Sequence, residues 1–284
     1  MQQWRSLHRA CLGVVVAGAV ATAGAPSLAG ASAPASACRP STVMAQMRAA
    51  AGGTNWTHAA EVVADGRVAV SGLDGTARFA DGQVRGRFAQ RFQLAVAGAN
   101  AAIYDGTTLW SLDVGGGVRP LGSPYARRES LTDAYLARRG YLRDDRDATV
   151  TCVGDRTQGA RTLTVMHVEP RGGLPVELAV DRRTHLLASA SVRTPLETTI
   201  FAYADYRIVN GIELPFTLTA GTAEAPTDSY AFHVSRYDVL ARERDRDFVK
   251  PVAAEDARMV GGVASTTVPM MLEGRQLMIW ASIC

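Results

Sequence analysis

The side chains that could do chemistry in this chain do not fall into a catalytic spacing. Aspartic proteolysis needs a carboxylate beside a second carboxylate, so that the pair shares one proton. The motif that supplies it is Asp-Thr-Gly or Asp-Ser-Gly, but only Asp228 is followed by Ser or Thr, and the next residue is Tyr230. The Gly-x-Ser-x-Gly motif of hydrolases is also absent from the sequence. The sequence therefore predicts no catalytic residue and a protein that is not an enzyme as the chain stands.

Metal-ligating and phosphate-binding patterns are equally weak. The histidines that follow the N-terminal segment are scattered and show no His-x-His, His-Glu-x-x-His or Cys-x-x-Cys spacing; they are His58, His167, His185 and His233. The glycines at 115–117 lack the Lys-Ser/Thr of a phosphate-binding loop and are better interpreted as a flexible rim. We expect no metal and no cofactor.

The cysteines leave two alternatives open. Cys152 lies in TVTCVGD, at the end of a predicted strand. This position favours a disulfide or a buried thiol over a catalytic nucleophile. A Cys38–Cys152 disulfide would tie the first helix to a strand, and Cys284 would be left over. The alternative is that all three remain free thiols.

The N-terminus has the pattern of a secretory signal over residues 1–37. Basic residues precede the apolar run CLGVVVAGAVATAGA, and the segment closes with ASA at 35–37. A membrane anchor and a lipid-modified Cys38 are the alternatives. We expect export to the periplasm, with outer-membrane association or secretion as alternatives. Formal net charge is only +3 and basic residues form no block, so no nucleic-acid partner is expected.

The remaining pattern is that of strands with two helices. A first helix is predicted from Ser41 to Ala51, and a second begins at Ser123-Pro124 and ends at Gly140. In GRFAQRFQLAV, Phe88 and Phe92 alternate with polar residues, as on a sheet with one wet face.

Turn signals separate the predicted strands. Asn210-Gly211 predicts a tight hairpin, and four Asp-Gly pairs at 65–66, 74–75, 81–82 and 105–106 suggest further turns. Ten to twelve strands in meander order predict a mainly β (α+β) protein. Its core would be a large twisted antiparallel sheet or unclosed β-barrel, with an N-terminal helix and one inserted helix over the concave face.

Aromatic residues on the predicted strands are the only feature with binding chemistry. They would form either a core or, beneath a helix acting as a lid, a ligand cavity. The candidates for the concave face are Phe88, Phe92, Tyr104, Trp110, Phe201, Tyr203 and Phe216.

The C-terminal part changes character. Residues 38–245 are predicted to form the half-barrel domain, and the charged, Pro/Ala-containing stretch 246–258 a linker. Residues 259–284 contain two apolar strands around Glu273-Gly274, which we expect to be the opening hairpin of a truncated second domain. Its exposed apolar edges, over 265–283, suggest self-association as another role.

Two family resemblances follow from these segments. YDGTTLWSLD, VEPRGGLPVELAVDRRTHLLASASV and FAYADYRIVNGIELPFTL resemble the LolA/LolB-like lipoprotein-carrier fold, which implies an unclosed sheet whose concavity binds acyl chains or other apolar ligands. VPMMLEGRQLMIWASI resembles the opening hairpin of bacterial retropepsin-like aspartic proteases, but the sequence stops before a catalytic Asp. The resemblances together imply an exported, non-catalytic module that binds a lipid, another apolar ligand or an extended peptide. The alternative is the N-terminal fragment of a retropepsin-like peptidase.

Overall fold

The fold was analysed on a computed structural model. It describes residues 38–95, 98–143, 147–194, 197–223 and 230–253, together with the backbone of 270–273 and 276–279. The predicted signal segment 1–37 lies outside the described residues, as do Asp228 and Cys284. None of the helices in the described ranges is long and apolar enough to cross a membrane.

Thirteen antiparallel strands form one large sheet, which confirms the predicted mainly β class. The first six precede the second helix: β1 Glu61–Val70, β2 Leu73–Gly82, β3 Phe88–Leu94, β4 Gly98–Tyr104, β5 Leu109–Leu112 and β6 Val118–Pro120. The other seven follow it: β7 Ala148–Gln158, β8 Arg161–Pro170, β9 Val176–Asp181, β10 Leu187–Arg193, β11 Thr198–Val209, β12 Ile212–Thr222 and β13 Tyr230–Leu240.

The strand order differs from a simple meander at one place. The order across the sheet is β6-β5-β4-β3-β2-β1-β13-β12-β11-β10-β9-β8-β7, so the first and last strands pair at its centre and β6 and β7 form its two edges. The chain between β6 and β7 must therefore pass from one edge of the sheet to the other. Helix α2, Pro124–Ala137, lies in this connection and covers the concave face because of it.

The helices begin and end where local sequence chemistry directs. The Ser123 hydroxyl accepts a hydrogen bond from the Ala126 N–H at 3.1 Å, and Pro124 occupies the first turn of α2, as predicted. Helix α1, Pro40–Ala50, begins one residue before the prediction, with Pro40 rather than Ser41 at its start. A short 3₁₀ helix, Gly53–His58, continues over the concave face, and a second, Gly140–Leu142, follows α2.

A disulfide fixes the start of the chain to the edge of the sheet. Cys38, just before α1, is joined to Cys152 of β7, with the two Cα atoms 5.9 Å apart. The bridge spans 114 residues of sequence. It therefore holds α1 over the concave face from one end.

The turn signals were right at some positions and wrong at others. Asn210-Gly211 connects β11 to β12 with both residues at positive φ, as predicted. Asp65-Gly66, in contrast, lies within β1 at a register shift opposite β13. A Cβ at Gly66 would collide with the His233 backbone, so this glycine serves close strand approach rather than a turn. The actual turn between β1 and β2 is Ser71-Gly72.

The first part of the predicted linker 246–258 packs against the sheet. Residues 241–253, hereafter the strap, run back over the convex face and include a 3₁₀ turn, Asp245–Phe248. The Phe248 side chain is only 1 % exposed and packs against Val63, Ala80 and Ala89. The sequence analysis did not identify Phe248 as a buried residue, because charged residues surround it in the sequence. Residues 254–258 lie outside the described residues.

The C-terminal hairpin is described only by its backbone. β14, Met270–Glu273, pairs antiparallel with β15, Gln276–Ile279, in a separate two-stranded sheet. The rest of the predicted hairpin region 265–283 lies outside the described residues. The assignment of 259–284 to a second domain, and self-association through 265–283, stay predictions.

Candidate functional site

A cavity lies between the concave face of the sheet and the helices. Its volume is about 200 Å³. A water molecule needs only about 10–15 Å³ measured in this way, so the core on this face is incompletely filled by the protein's own side chains. Met47 of α1 and Ala51 just after it, together with Leu136 and Ala137 of α2, cover it.

Aromatic rings form much of the cavity wall. Phe79 of β2 is at the centre of one cluster, with its ring 5.6 Å from that of Phe92 and 4.5 Å from that of Phe232. Tyr230 stacks nearly parallel to Phe79 at 6.3 Å. Such ring pairs hold each other in fixed orientations. The part of the wall that these four rings form is therefore apolar.

Four of the seven predicted concave-face residues line this cavity. They are Phe88 and Phe92 on β3 and Phe201 and Tyr203 on β11. The two strands lie on opposite sides of the central β1–β13 pair, so the cavity spans the middle of the sheet. The alternation in β3 predicted this placement for its two phenylalanines.

The other three predicted residues do not line the cavity. Tyr104 is on the concave side but packs against Phe88 at 5.7 Å, within a small cluster under α2. The Phe216 ring packs edge-on against Tyr237 at 5.2 Å, and the Arg207 guanidinium lies 4.5 Å above it. Both are thus structural neighbours of the cavity rather than part of its wall.

Trp110 lies on the opposite face, so its prediction as a concave-face residue is wrong. It is paired in register with Ile103, which belongs to the cluster closed by Phe248, and directly opposed side chains share a face. Its indole N–H donates to Asp105 at 3.0 Å, and the Lys250 amino group of the strap lies 4.6 Å above its ring. A short strand gave no pattern from which the face could be determined.

A buried ion pair lies in the cavity wall. Arg139 follows α2 in a left-handed backbone conformation, with φ 52°, which turns its side chain inward. Its Nη1 donates to the Ala137 carbonyl at 2.9 Å and lies 3.4 Å from Asp81 Oδ2 at the end of β2. The guanidinium carbon lies 5.1 Å from the centre of the Trp56 ring, a favourable cation–π arrangement.

The ion pair does not fully compensate for its burial. Burial raises the pKa of Asp81 to about 6, although the charge and hydrogen bond of Arg139 oppose this shift. Burial acts to lower the pKa of Arg139, but the Asp81 carboxylate and nearby tyrosine hydroxyls raise it on balance. Arg139 therefore stays charged, whereas Asp81 can take up a proton in mildly acidic solution.

Tyrosine hydroxyls surround this pair. Arg139 interacts electrostatically with Tyr141, Tyr203 and Tyr237, all of which line the cavity. The Tyr237 hydroxyl donates to the Pro215 carbonyl at 2.6 Å. Within the described ranges, those of Tyr141 and Tyr203 make no hydrogen bond. Burial raises the pKa of both, so they remain hydroxyl donors at ordinary pH.

Sequence reasoning missed the polar part of the site. Asp81 was interpreted as a turn residue before Gly82, and Arg139 was not singled out. The two residues are 58 positions apart and meet only because α2 crosses the sheet. The one local signal was an Arg-Gly pair that ends a helix, and such a pair has many other uses.

The described residues offer little for metal chemistry. Within the ranges given above, no three His, Cys, Asp or Glu side chains converge as ligands. Of the histidines in those ranges, His185 lies in the wall of the cavity, at the turn between β9 and β10. The arrangement around the cavity can bind and orient a molecule, and it shows no paired nucleophile and base.

Comparison with known proteins supports the fold. No family model matches the chain, and no curated protein matches it in sequence. A LolA superfamily protein from Nitrosomonas europaea is 13 % identical, with a TM-score of 0.50 over 75 % of this chain and 99 % of its own. A putative outer membrane lipoprotein-sorting protein domain from Vibrio parahaemolyticus is 11 % identical, with a TM-score of 0.49 over 73 % of this chain and 94 % of its own. A DUF1329 family protein from Desulfovibrio piger is 10 % identical, with a TM-score of 0.49 over 75 % of this chain and 98 % of its own. The chain thus has a fold similar to that of the LolA superfamily protein, as its sequence pattern implied.

Proposed function

We propose that this chain is an exported, non-catalytic carrier that binds an apolar ligand in the concave-face cavity. The observation that carries the proposal is the unfilled cavity of about 200 Å³ with its aromatic wall. Natural cores are close-packed, and a void of this size forgoes contacts that side chains would otherwise make. An apolar occupant would restore those contacts.

A single acyl chain fits this wall better than an extended peptide. A bound peptide would bring backbone N–H and C=O groups that each need a hydrogen-bond partner. The β2, β3 and β13 side of the cavity presents Phe79, Phe92 and Phe232 instead. An acyl chain has no such requirement, and each methylene buried contributes about 0.8 kcal/mol. The test below must therefore distinguish binding of an acyl chain from binding of an extended peptide.

Export in this proposal rests on the signal-like segment at residues 1–37. The expected location is the periplasm, with outer-membrane association or secretion as alternatives. The fold similarity to a LolA superfamily protein is compatible with this assignment. The alternative of a retropepsin-like peptidase fragment rests on the sequence after residue 265 and stays a prediction.

Displacement of a neutral fluorescent probe tests the proposal. Purified protein should enhance the emission of N-phenyl-1-naphthylamine, and 1-dodecanol should displace the probe, whereas a soluble extended peptide should not. Ala220 lines the cavity on β12, so Ala220→Leu should abolish probe binding. Ala231 lies on the adjacent strand between two cavity-lining residues, Tyr230 and Phe232, and therefore faces the other way. Ala231→Leu is the matched control and should bind as the parent does. Equal binding by all three proteins, or none by the parent, would refute the proposal.

A further inference from the structure

We infer that Arg139 anchors an anionic head group, so that the carried molecule is a single-chain amphiphile with a phosphate or carboxylate end. This inference rests on the proposed function, because it assigns the polar end of the same ligand. It concerns the ion pair in a wall that combines aromatic rings with polar side chains. The following steps derive it from the hydrogen-bonding capacity of that pair.

Arg139 has more donors than the protein uses. A guanidinium carries five N–H groups and has no acceptor. Both bonds of Arg139, to Ala137 and Asp81, come from Nη1. Nε and Nη2 make no hydrogen bond within the part of the chain that the structure describes. Neither atom is among the fully buried polar atoms of those residues that lack a hydrogen-bond partner. Three N–H groups thus remain available from the cavity.

The geometry of the unused edge selects the ligand. Nε–H and Nη2–H point in parallel, and this edge of a guanidinium binds two oxygens of one carboxylate or phosphate. The Arg139 side chain is 13 % exposed, so its charge is largely removed from solvent. Charge-assisted hydrogen bonds are stronger where water is excluded. An anion with two oxygens would satisfy the edge that the protein leaves empty.

Neighbouring groups complete an anion site. Tyr141 and Tyr203 line the same cavity with protonated hydroxyls that have no partner among the described residues. Hydroxyl donors and a guanidinium are complementary to the oxygens of a head group, and the phenylalanine wall is complementary to its chain. Asp81 opposes an anion, as do Asp133, Glu197 and Glu213 in the same lining. Asp81 is the carboxylate bonded to Arg139, and it lies against Nη1 rather than at the unused edge. It therefore moderates the affinity without occupying the site.

The opposite assignment, a cationic head group held by Asp81, is less favourable. Asp81 already accepts from Arg139, and a second cation would be placed beside a guanidinium that is always charged. Like charges in a poorly solvated site repel each other strongly. A cationic amphiphile is thus the natural negative control.

Ligands with one chain and different head groups test the inference. Displacement of N-phenyl-1-naphthylamine should be measured below the micellar concentration, at pH 7.5, with 1-dodecanol, dodecyl phosphate, dodecyltrimethylammonium and inorganic phosphate. Dodecyl phosphate should bind roughly tenfold to a hundredfold more tightly than 1-dodecanol, which is the range for a charge-assisted hydrogen bond. Arg139→Gln should reduce this ratio to about two, by the loss of that bond.

Arg207 provides a matched control variant. It also pairs with an aspartate, Asp205, and its guanidinium also lies over an aromatic ring, Phe216, but it lies outside the cavity. Arg207→Gln should leave the ratio unchanged. Asp81→Asn removes the opposing charge and should increase the ratio. Circular dichroism would show whether Arg139→Gln folds. If it does not, the ratio measured for Asp81→Asn still tests the inference.

The outcomes distinguish the inference from the proposed function. If neither 1-dodecanol nor dodecyl phosphate displaces the probe, the carrier function fails together with the inference. If both bind equally, or if dodecyltrimethylammonium binds more tightly, the head-group inference fails and the carrier function stands. If inorganic phosphate competes as well as dodecyl phosphate, the site binds free anions and the amphiphile assignment is wrong.

Discussion

The two faces of the sheet bury apolar side chains in different ways. On the convex face, the strap closes a small cluster in which Phe248, Val63 and Ala89 are almost fully buried. On the concave face, α1 and α2 close over a larger cluster but leave a cavity of about 200 Å³. The cluster under the strap is packed by the chain itself, whereas the cluster under α1 and α2 leaves space for another molecule. The convex face also has a more open depression beside Pro251.

The charged groups of the two faces differ in the same way. On the convex side, Glu243 accepts hydrogen bonds from the Val84 and Arg85 N–H groups and from Arg87 at 2.7 Å. Burial raises the pKa of Glu61, while Arg244 opposes the shift through hydrogen bonds from its backbone N–H and side chain. On the concave side, Arg139 retains an unused edge. The donors that stay unpaired on the convex side, Arg87 Nε and Arg91 Nη1, are buried within the chain, whereas Arg139 lines the cavity with its unused edge.

The largest expected difference between the faces comes from Phe248→Ala. The ring is 1 % exposed, and removing a buried phenylalanine costs about 3–5 kcal/mol of the free energy of unfolding. Phe92→Ala, on the cavity wall, should cost less than half as much, because one side of its ring already lacks partners. Urea denaturation measures both. Equal losses would mean that the cavity wall is packed as tightly as the strap.

Asp81, on the concave face, should contribute to the pH dependence of stability. Asp81 has a pKa of about 6 in the folded state against 3.8 ordinarily. Between these values the folded protein holds a proton that the unfolded chain has released, so stability falls as pH rises through this window. The full loss above pH 6 is at most about 3 kcal/mol. It reflects burial, with Arg139 opposing and Glu61 adding to the shift.

Asp81→Asn isolates that contribution. The variant cannot titrate at this position, so its free energy of unfolding should fall less between pH 4 and pH 7.5 than that of the parent. Glu61 is buried in both proteins, so the difference between the two curves belongs to Asp81 together with its interaction with Glu61. Parallel curves from urea denaturation across this range would show that Asp81 titrates normally.

The sequence predicted those features that depend on neighbouring residues. Ser123-Pro124 starts α2 and Asn210-Gly211 turns β11 into β12, because a cap and a hairpin turn need only a few residues. The alternation in β3 placed Phe88 and Phe92 on the concave side for the same reason.

Features set by long-range topology were not predictable in this way. The Asp81–Arg139 pair depends on the crossing of α2, and the burial of Phe248 depends on the strap returning over the sheet. Gly66 looked like a turn residue, although its role is set by the backbone of a strand more than 160 positions later, at His233. The polar part of the site, which is the part that discriminates ligands, therefore escaped a local analysis.

The smallest effects, and the sharpest contrast, are expected from one substitution made on both faces. Ala89→Leu enlarges a side chain that is 0 % exposed in the strap cluster, and overpacking there should cost about 1–3 kcal/mol. Ala220→Leu enlarges a side chain on the cavity wall, where free space exists, and should gain about 0.5–2 kcal/mol. The same three added carbon atoms should thus destabilise one variant and stabilise the other, because Ala89 lies in a filled cluster whereas Ala220 borders the cavity. Urea denaturation of both variants gives the two signs, and a loss of stability in Ala220→Leu would mean that the cavity cannot accept an apolar group of this size.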